Sequence, residues 1–214
     1  MDTRKTVMLT IKRGAFLLLL VGFALWPELG RGRSSRMPVS QAGRGFRRAT
    51  VQPPWSRDLS AVAVNEDGEV FVASGGACGT ASGAGVFRSS NAGETWTALS
   101  TGLTNTSVRA LAIAESGAIF AGTHDGVFRS IDNGDTWSPT ALRGVDISTL
   151  VSGPGVLFAG DGCLCSGVYR SRDAGASWEK VNQGLATCVK SLAIDSTGAV
   201  FVATAADGVY RSED

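Results

Sequence analysis

At 214 residues the chain is long enough for one domain with a sizeable core. Its 28 glycines and low charged content, 18% of residues, suit short strands joined by tight turns and argue against a helical bundle. The net charge of +1 conceals a split: residues 1–54 hold ten Lys/Arg against two Asp/Glu, and residues 55–214 hold ten against seventeen. The second part therefore carries −7 and repels phosphates, which excludes nucleic acid as its partner.

Residues 1–30 open with Arg4, Lys5, Lys12 and Arg13, followed by the uncharged apolar run Gly14 to Trp26. That run is shorter than the roughly 20 residues a membrane span needs and matches the apolar region of an export signal. No small-x-small cleavage site follows Trp26 closely, so the segment is read as either a signal peptide or a retained N-terminal anchor. Either reading puts the rest of the chain in a secreted or periplasmic setting, with membrane contact only through such an anchor. Residues 31–54 hold arginine, glycine and serine with little apolar periodicity, as a flexible linker does.

From residue 55 onward the chain repeats itself. RSSNAGETW begins at Arg88, RSIDNGDTW at Arg129 and RSRDAGASW at Arg170, and RSED begins at Arg211, a constant step of 41. Trp96, Trp137 and Trp178 keep that step, and Trp55 lies one step earlier. Before each of these segments stands GVFRS or GVYRS, at Gly85, Gly126, Gly167 and Gly208. Before that comes an apolar strand (VFVAS, IFAGT, LFAGD or VFVAT), and before that LSAVAV, VRALAI, ISTLVS or VKSLAI. With a further strand beginning at each tryptophan, the unit is strand A, strand B, strand C, a turn and strand D. Four short strands in about 40 residues is the pattern of a β-propeller blade. The fold is therefore expected to be all-β, a propeller of four-stranded antiparallel blades spanning residues 55–214.

The turn sequence resembles the S-x-D-x-G-x-T-W pattern of the Asp-box, or BNR-repeat, family. Two copies match it well: Ser130, Asp132, Gly134, Thr136 and Trp137, then Ser171, Asp173, Gly175, Ser177 and Trp178. The first copy has Asn91 at the acidic position, beside Ser89, Gly93, Thr95 and Trp96, and the last retains Ser212 and Asp214. The Asp or Asn side chain accepts nearby backbone N–H groups in an Asx-type turn. Glycine takes a positive φ there without a Cβ penalty. A carboxylate repeated in every unit serves the unit's own turn, so Asp132 and Asp173 are read as structural, neither catalytic nor metal-binding.

In a propeller the B–C and D–A connections share one face, and the A–B and C–D turns share the other. The longer B–C loops of the first and third units mark the B–C face as the ligand face. Cys78, Cys163, Cys165 and Cys188 all map to it, and an even cysteine count in an exported chain implies disulfides, with Cys188 beside Cys163 and Cys165. His124, the only histidine, and Asp161, in the third B–C loop, are the binding candidates. Asp125 and Asp207 precede equivalent strands and read as turn residues. No catalytic residue, metal site or cofactor site is nominated.

The resemblance covers sialidases, xyloglucan-type endoglucanases, sortilin-like receptors and photosystem II assembly factors, among which fold does not choose. The only tyrosines, Tyr169 and Tyr210, occupy repeated strand C positions, and Arg88, Arg129, Arg170 and Arg211 recur as framework. The expectation is thus a non-catalytic scaffold binding carbohydrate or protein on its B–C face. The alternative is a fragment of a sialidase-like or xyloglucanase-like hydrolase. Three complete units and a partial fourth are read first as an incomplete ring, a fragment of a longer propeller whose open edges would favour self-association; the alternative is a closed four-bladed ring in which the Trp55 segment supplies strand D to the fourth blade.

Overall fold

The computed structural model describes residues 59–76, 83–185 and 188–212, all within the compact unit Phe46–Asp214. The signal or anchor segment, the linker, Trp55, Cys78 and Asp214 lie outside the described residues. Among the described residues every regular element is a strand, and no helix is long and apolar enough to cross a membrane.

Four sheets follow one another along the chain. The first holds β1 (Leu59–Val64), β2 (Val70–Ser74), β3 (Gly85–Ser89) and β4 (Thr97–Ala98). The second holds β5 (Val108–Ile113), β6 (Ile119–Thr123), β7 (Gly126–Ser130) and β8 (Ser138–Arg143). The third holds β9 (Ile147–Gly153), β10 (Val156–Asp161), β11 (Gly167–Ser171) and β12 (Glu179–Lys180). Among the described residues the fourth holds three strands, β13 (Val189–Ile194), β14 (Val200–Thr204) and β15 (Val209–Arg211). Each is an antiparallel meander in chain order, as short turns between consecutive strands dictate.

Successive sheets pack through their first strands, β1 against β5, β5 against β9 and β9 against β13, and among the described residues no comparable contact joins β13 to β1. The result is an open arc of propeller blades. Cores form between blades: Phe71, Val86, Ile119 and Phe128 in the first, Phe120, Val127, Ile147 and Leu157 in the second, Phe158, Val168 and Val200 in the third. A middle strand such as β6 is buried along its whole length, which explains its apolar run IFAGT without polar alternation. At the arc's first edge Leu59, Val62 and Val64 of β1 remain exposed.

The repeated C–D turns are nearly superimposable in their bonding. The Ser130 hydroxyl accepts the Gly134 amide at 2.8 Å and donates to Asp132 Oδ1 at 2.7 Å, and that oxygen accepts the Thr136 amide at 2.9 Å. Ser171, Asp173, Gly175 and Ser177 repeat this, as do Ser89, Asn91, Gly93 and Thr95 with an amide oxygen in place of the carboxylate. Gly134 has φ 90° and the preceding Asn133 φ 60°, so two successive residues are left-handed. The sequence pattern requires a glycine only at the second of them.

The turn of the second blade also staples it to the first. Asn133 donates to Glu69 Oε2 at 2.5 Å and accepts Asn65 Nδ2 at 3.3 Å, while Arg88 Nη1 donates to the Asn133 carbonyl at 2.9 Å. Trp137, 3% exposed, lays its ring in the first interblade core and donates its indole N–H to the Leu99 carbonyl at 2.8 Å.

Each first strand carries a β-bulge at its second residue. Register jumps leave Ser60, Arg109, Ser148 and Lys190 without a ladder partner. A bulge re-aims the side chain of its extra residue. Ser60 uses this to bond the Val108 carbonyl of the next blade at 2.6 Å, and Ser148 bonds the Val189 carbonyl at 3.5 Å.

Candidate functional site

Arg109 occupies the bulge position that holds serine in the first and third blades, and it reaches much further. Its Nη1 donates to Asp146 Oδ1 at 2.8 Å and lies 2.9 Å from Cys163 Sγ. Asp146, the last residue before β9, is only 2% exposed, and its other oxygen sits 2.7 Å from His124 Nδ1. A guanidinium and an imidazole from the second blade thus converge on one buried carboxylate in the D–A link, beside the third blade's B–C loop. Against a carboxylate, Nδ1 carries a proton and donates it.

The third B–C loop is pinned at several points. Cys165 is bonded to Cys188, which stands directly before β13, and Cys163 is disulfide-bonded as well. Between them Leu164 is 73% exposed. Its amide, together with those of Cys163 and Ser166, donates to the Asp161 carboxylate at 2.8–3.1 Å. Burial pushes the Asp161 carboxyl up, but the Ser166 hydroxyl and the three amides outweigh it and hold the group below its ordinary range.

Of the two residues expected to bind ligand, the structure places His124 in a charged cluster and gives Asp161 to its own loop. A binding role for Asp161 in the third B–C loop needs a carboxylate open to the ligand face. It is instead fully buried, and its oxygens are taken by three amides. It ends β10 where Thr123 and Thr204 end β6 and β14, and those hydroxyls bond their own B–C turns in the same way. Comparing IFAGT, LFAGD and VFVAT would have found this role. Asp125 and Asp207 give their amides to those threonines, consistent with turn residues.

Arg109 and Asp146 were missed. Their signal was the departure from serine at the second residue of strand A, which is meaningful only once the bulge is known. The grouping of Asp146, His124 and Cys163 has the residue types of a Cys-His-Asp nucleophilic set but not its chemistry. The sulfur is already oxidised in a disulfide and contacts Arg109, so no thiolate is available as nucleophile. Among the described residues no three His, Cys, Asp or Glu side chains are placed to hold a metal ion.

No protein-family model matches the chain, and no curated protein sequence does. Solved structures do match. An ancestral GH74 enzyme superimposes with TM-score 0.60 at 23% identity, over 73% of this chain and 23% of that one. The GH74 xyloglucanase from Xanthomonas campestris gives 0.56 at 20% identity, over 73% and 29%. YCF48 bound to a D1 peptide gives 0.58 at 15% identity, over 76% and 52%. The chain thus spans less than two thirds of each of these, and identities this low carry the fold alone. With enzymes and non-enzymes alike among its neighbours, the chain is a set of β-propeller blades.

Proposed function

We propose that the chain belongs to an exported, non-catalytic propeller scaffold of Asp-box type that binds protein through its B–C and D–A loop face. The observation that carries this is Leu164: an exposed apolar side chain held at a loop tip between two disulfide-bonded cysteines, its amide fixed by a buried carboxylate. Preorganised loops lose little entropy on binding, and an apolar anchor set among polar neighbours suits a protein contact. The described and undescribed loop residues of this face, from SGGACGTASGA to QGLATC, contain no Phe, Tyr or Trp to stack on a sugar ring, which favours protein over carbohydrate. Export is supported by the charged n-region and apolar run at the N-terminus, and by a Cys165–Cys188 bond that requires an oxidising compartment.

The test is selection of displayed peptides against the full chain, followed by affinity measurements on the wild type and on Leu164→Asp. Binders that lose about tenfold or more in affinity with Leu164→Asp support the reading. Binders indifferent to that change, or release of reducing ends from xyloglucan by the wild-type chain, would replace it with another face or with a glycoside hydrolase.

A further inference from the structure

The framework arginine of strand C faces an acid in the first and third blades. Arg88 Nε lies 3.9 Å from Glu69 Oε1 and its Nη1 3.3 Å from Asp135 Oδ1, and Arg170 Nε donates to Glu179 Oε1 at 2.7 Å. Arg129 holds the same repeat position in the second blade without such a partner. The place of Glu69 is taken by Ala118, whose carbonyl accepts the first amide of its A–B turn as that of Glu69 does. The places of Asp135 and Glu179, one repeat of 41 residues away, are taken by Ala176 and Ser138. Arg129 Nε is buried without a hydrogen-bond partner, and the guanidinium carbon stands 6.0 Å from the centroid of the Phe120 ring. The same truncations leave room beside it. On the face of the A–B and C–D turns, a cleft of about 390 Å³ opens between the second and third blades, bordered by Ala114, Phe120, Gly153, Gly155, Arg172 and Ala174. Ala114 and Ala174 stand where the first junction has Asn65 and Asn133, the two side-chain amides that bond Glu69.

We propose that this cleft binds a carboxylate on a short aliphatic arm, from a free acid or from a glutamate of a partner, which enters between the blades and pairs with Arg129. A guanidinium keeps its charge at any working pH, so Arg129 cannot escape the cost of its burial by losing a proton. Its planar donors match a carboxylate, and such a charge-assisted bond is among the stronger ones available. The neighbouring junction shows the occupant, since there the chain itself supplies Glu69 to the equivalent arginine. Phe120 offers an apolar floor for the arm, and walls of glycine and alanine leave it space. Two acids, Glu115 and Asp173, also border the cleft; Asp173 is taken up by Ser177 of its own turn, and Arg172 stands beside it. The site lies on the face opposite Leu164, so the inference is independent of the proposal for the loop face.

The experiment follows the Arg129 Nε–H resonance of the full chain by NMR, assigned by its loss in Arg129→Lys. Glutarate and the blocked peptide acetyl-Gly-Glu-Gly-amide are titrated in at constant ionic strength, with glutaric diamide and the glutamine peptide as their neutral counterparts. A saturable shift is expected, with Kd on the order of 1 mM for ligands of this size. The neutral counterparts should bind at least tenfold more weakly, and Ala118→Glu, which supplies the carboxylate from the chain, should abolish the response. Tighter binding of glutarate assigns the site to a free acid, and tighter binding of the peptide assigns it to a partner's glutamate. Because the neutral ligands leave the protein untouched, that comparison stands even where Ala118→Glu fails to fold. An equal response to acid and amide, or no saturable shift of this resonance, overturns the proposal.

Discussion

Trp137 and Trp178 stand at the same repeat position, 41 residues apart, yet their indole N–H groups end differently. Trp137 Nε1 reaches the Leu99 carbonyl, presented just after β4 ends at Ala98. Trp178 packs against the second core with its Nε1 buried and without an acceptor, and the strand before it, β8, continues to Arg143. Replacing each by phenylalanine separates these cases. Trp137→Phe deletes a buried hydrogen bond, leaves a carbonyl unpaired and removes ring atoms, for a loss of about 2–3 kcal/mol. Trp178→Phe removes a donor whose burial already costs about 1–3 kcal/mol, against a similar loss of apolar contact, so the net change is within about 1 kcal/mol. For a folded unit of this size 1 kcal/mol moves Tm by about 2–4 °C. Thermal and urea unfolding of the full chain should therefore place Trp137→Phe about 4–12 °C below wild type and Trp178→Phe within about 4 °C of it. Equal losses, or a larger loss for Trp178→Phe, would refute the assignment of that buried donor as a cost.

Three further outcomes follow from the same geometry. The Thr136 and Ser177 hydroxyls and amides, then the Ser130 and Ser171 hydroxyls, lower the Asp132 and Asp173 carboxyls from 3.8 to about 2. Folded values below unfolded ones mean stabilisation that is complete above about pH 4 and lost as pH falls through about 2; urea unfolding across that range should show the slope, and Asp132→Asn with Asp173→Asn should flatten it, since Asn91 already makes the same turn. A Cβ on Gly160 would lie 2.6 Å from Thr149 Cγ2 and 2.7 Å from Val189 Cγ1, so Gly160→Ala should cost about 1–3 kcal/mol in the same assay, although the first and fourth blades carry Ala73 and Ala203 there. Asp146→Ala should cost about 2–3 kcal/mol, less than the roughly 3–5 of a fully buried pair because Arg109 and His124 reach solvent, and high salt should leave most of that loss in place.

The blade pattern was legible because each repeat unit states its own local physics. Serine, Asp or Asn, glycine and Thr or Ser at fixed spacing define a turn, and the tryptophan after it starts a strand. Strand order followed, since short connections leave consecutive strands no other partner. The bulge was not legible: which residue of strand A falls out of register is set by the twist of the blade, and serine, arginine and lysine all occupy that place. The Arg109–Asp146–His124 cluster depends on that bulge, so the sequence showed His124 as a solitary loop residue. Asp161 misled for the opposite reason. Read singly it is an acid on the expected ligand face, and only alignment with Thr123 and Thr204 reveals the end of a strand bonding its own turn.

The interblade contacts are not equivalent, and the difference bears on how the arc comes apart. Between the first and second blades the C–D turn face is closed by Asn133, Glu69 and Arg88, together with the bonded indole of Trp137. Between the second and third, Ala174 takes the place of Asn133, Trp178 lacks its acceptor, and Arg129 Nε is buried unpaired. That junction is fastened at the opposite face, where Arg109 crosses from the second blade to Cys163 of the third and Asp146 clamps the link between them. In a chain of blades whose stability is the sum of unit and interface terms, the weaker interface sets where opening begins. Hydrogen exchange should accordingly reach the amides of β9 to β12 before those of β2 and β3, and Asp146→Ala should widen that gap. Removing the loop-face cluster takes away the side-chain polar fastening of the second junction and leaves it to the apolar core around Phe120 and Ile147.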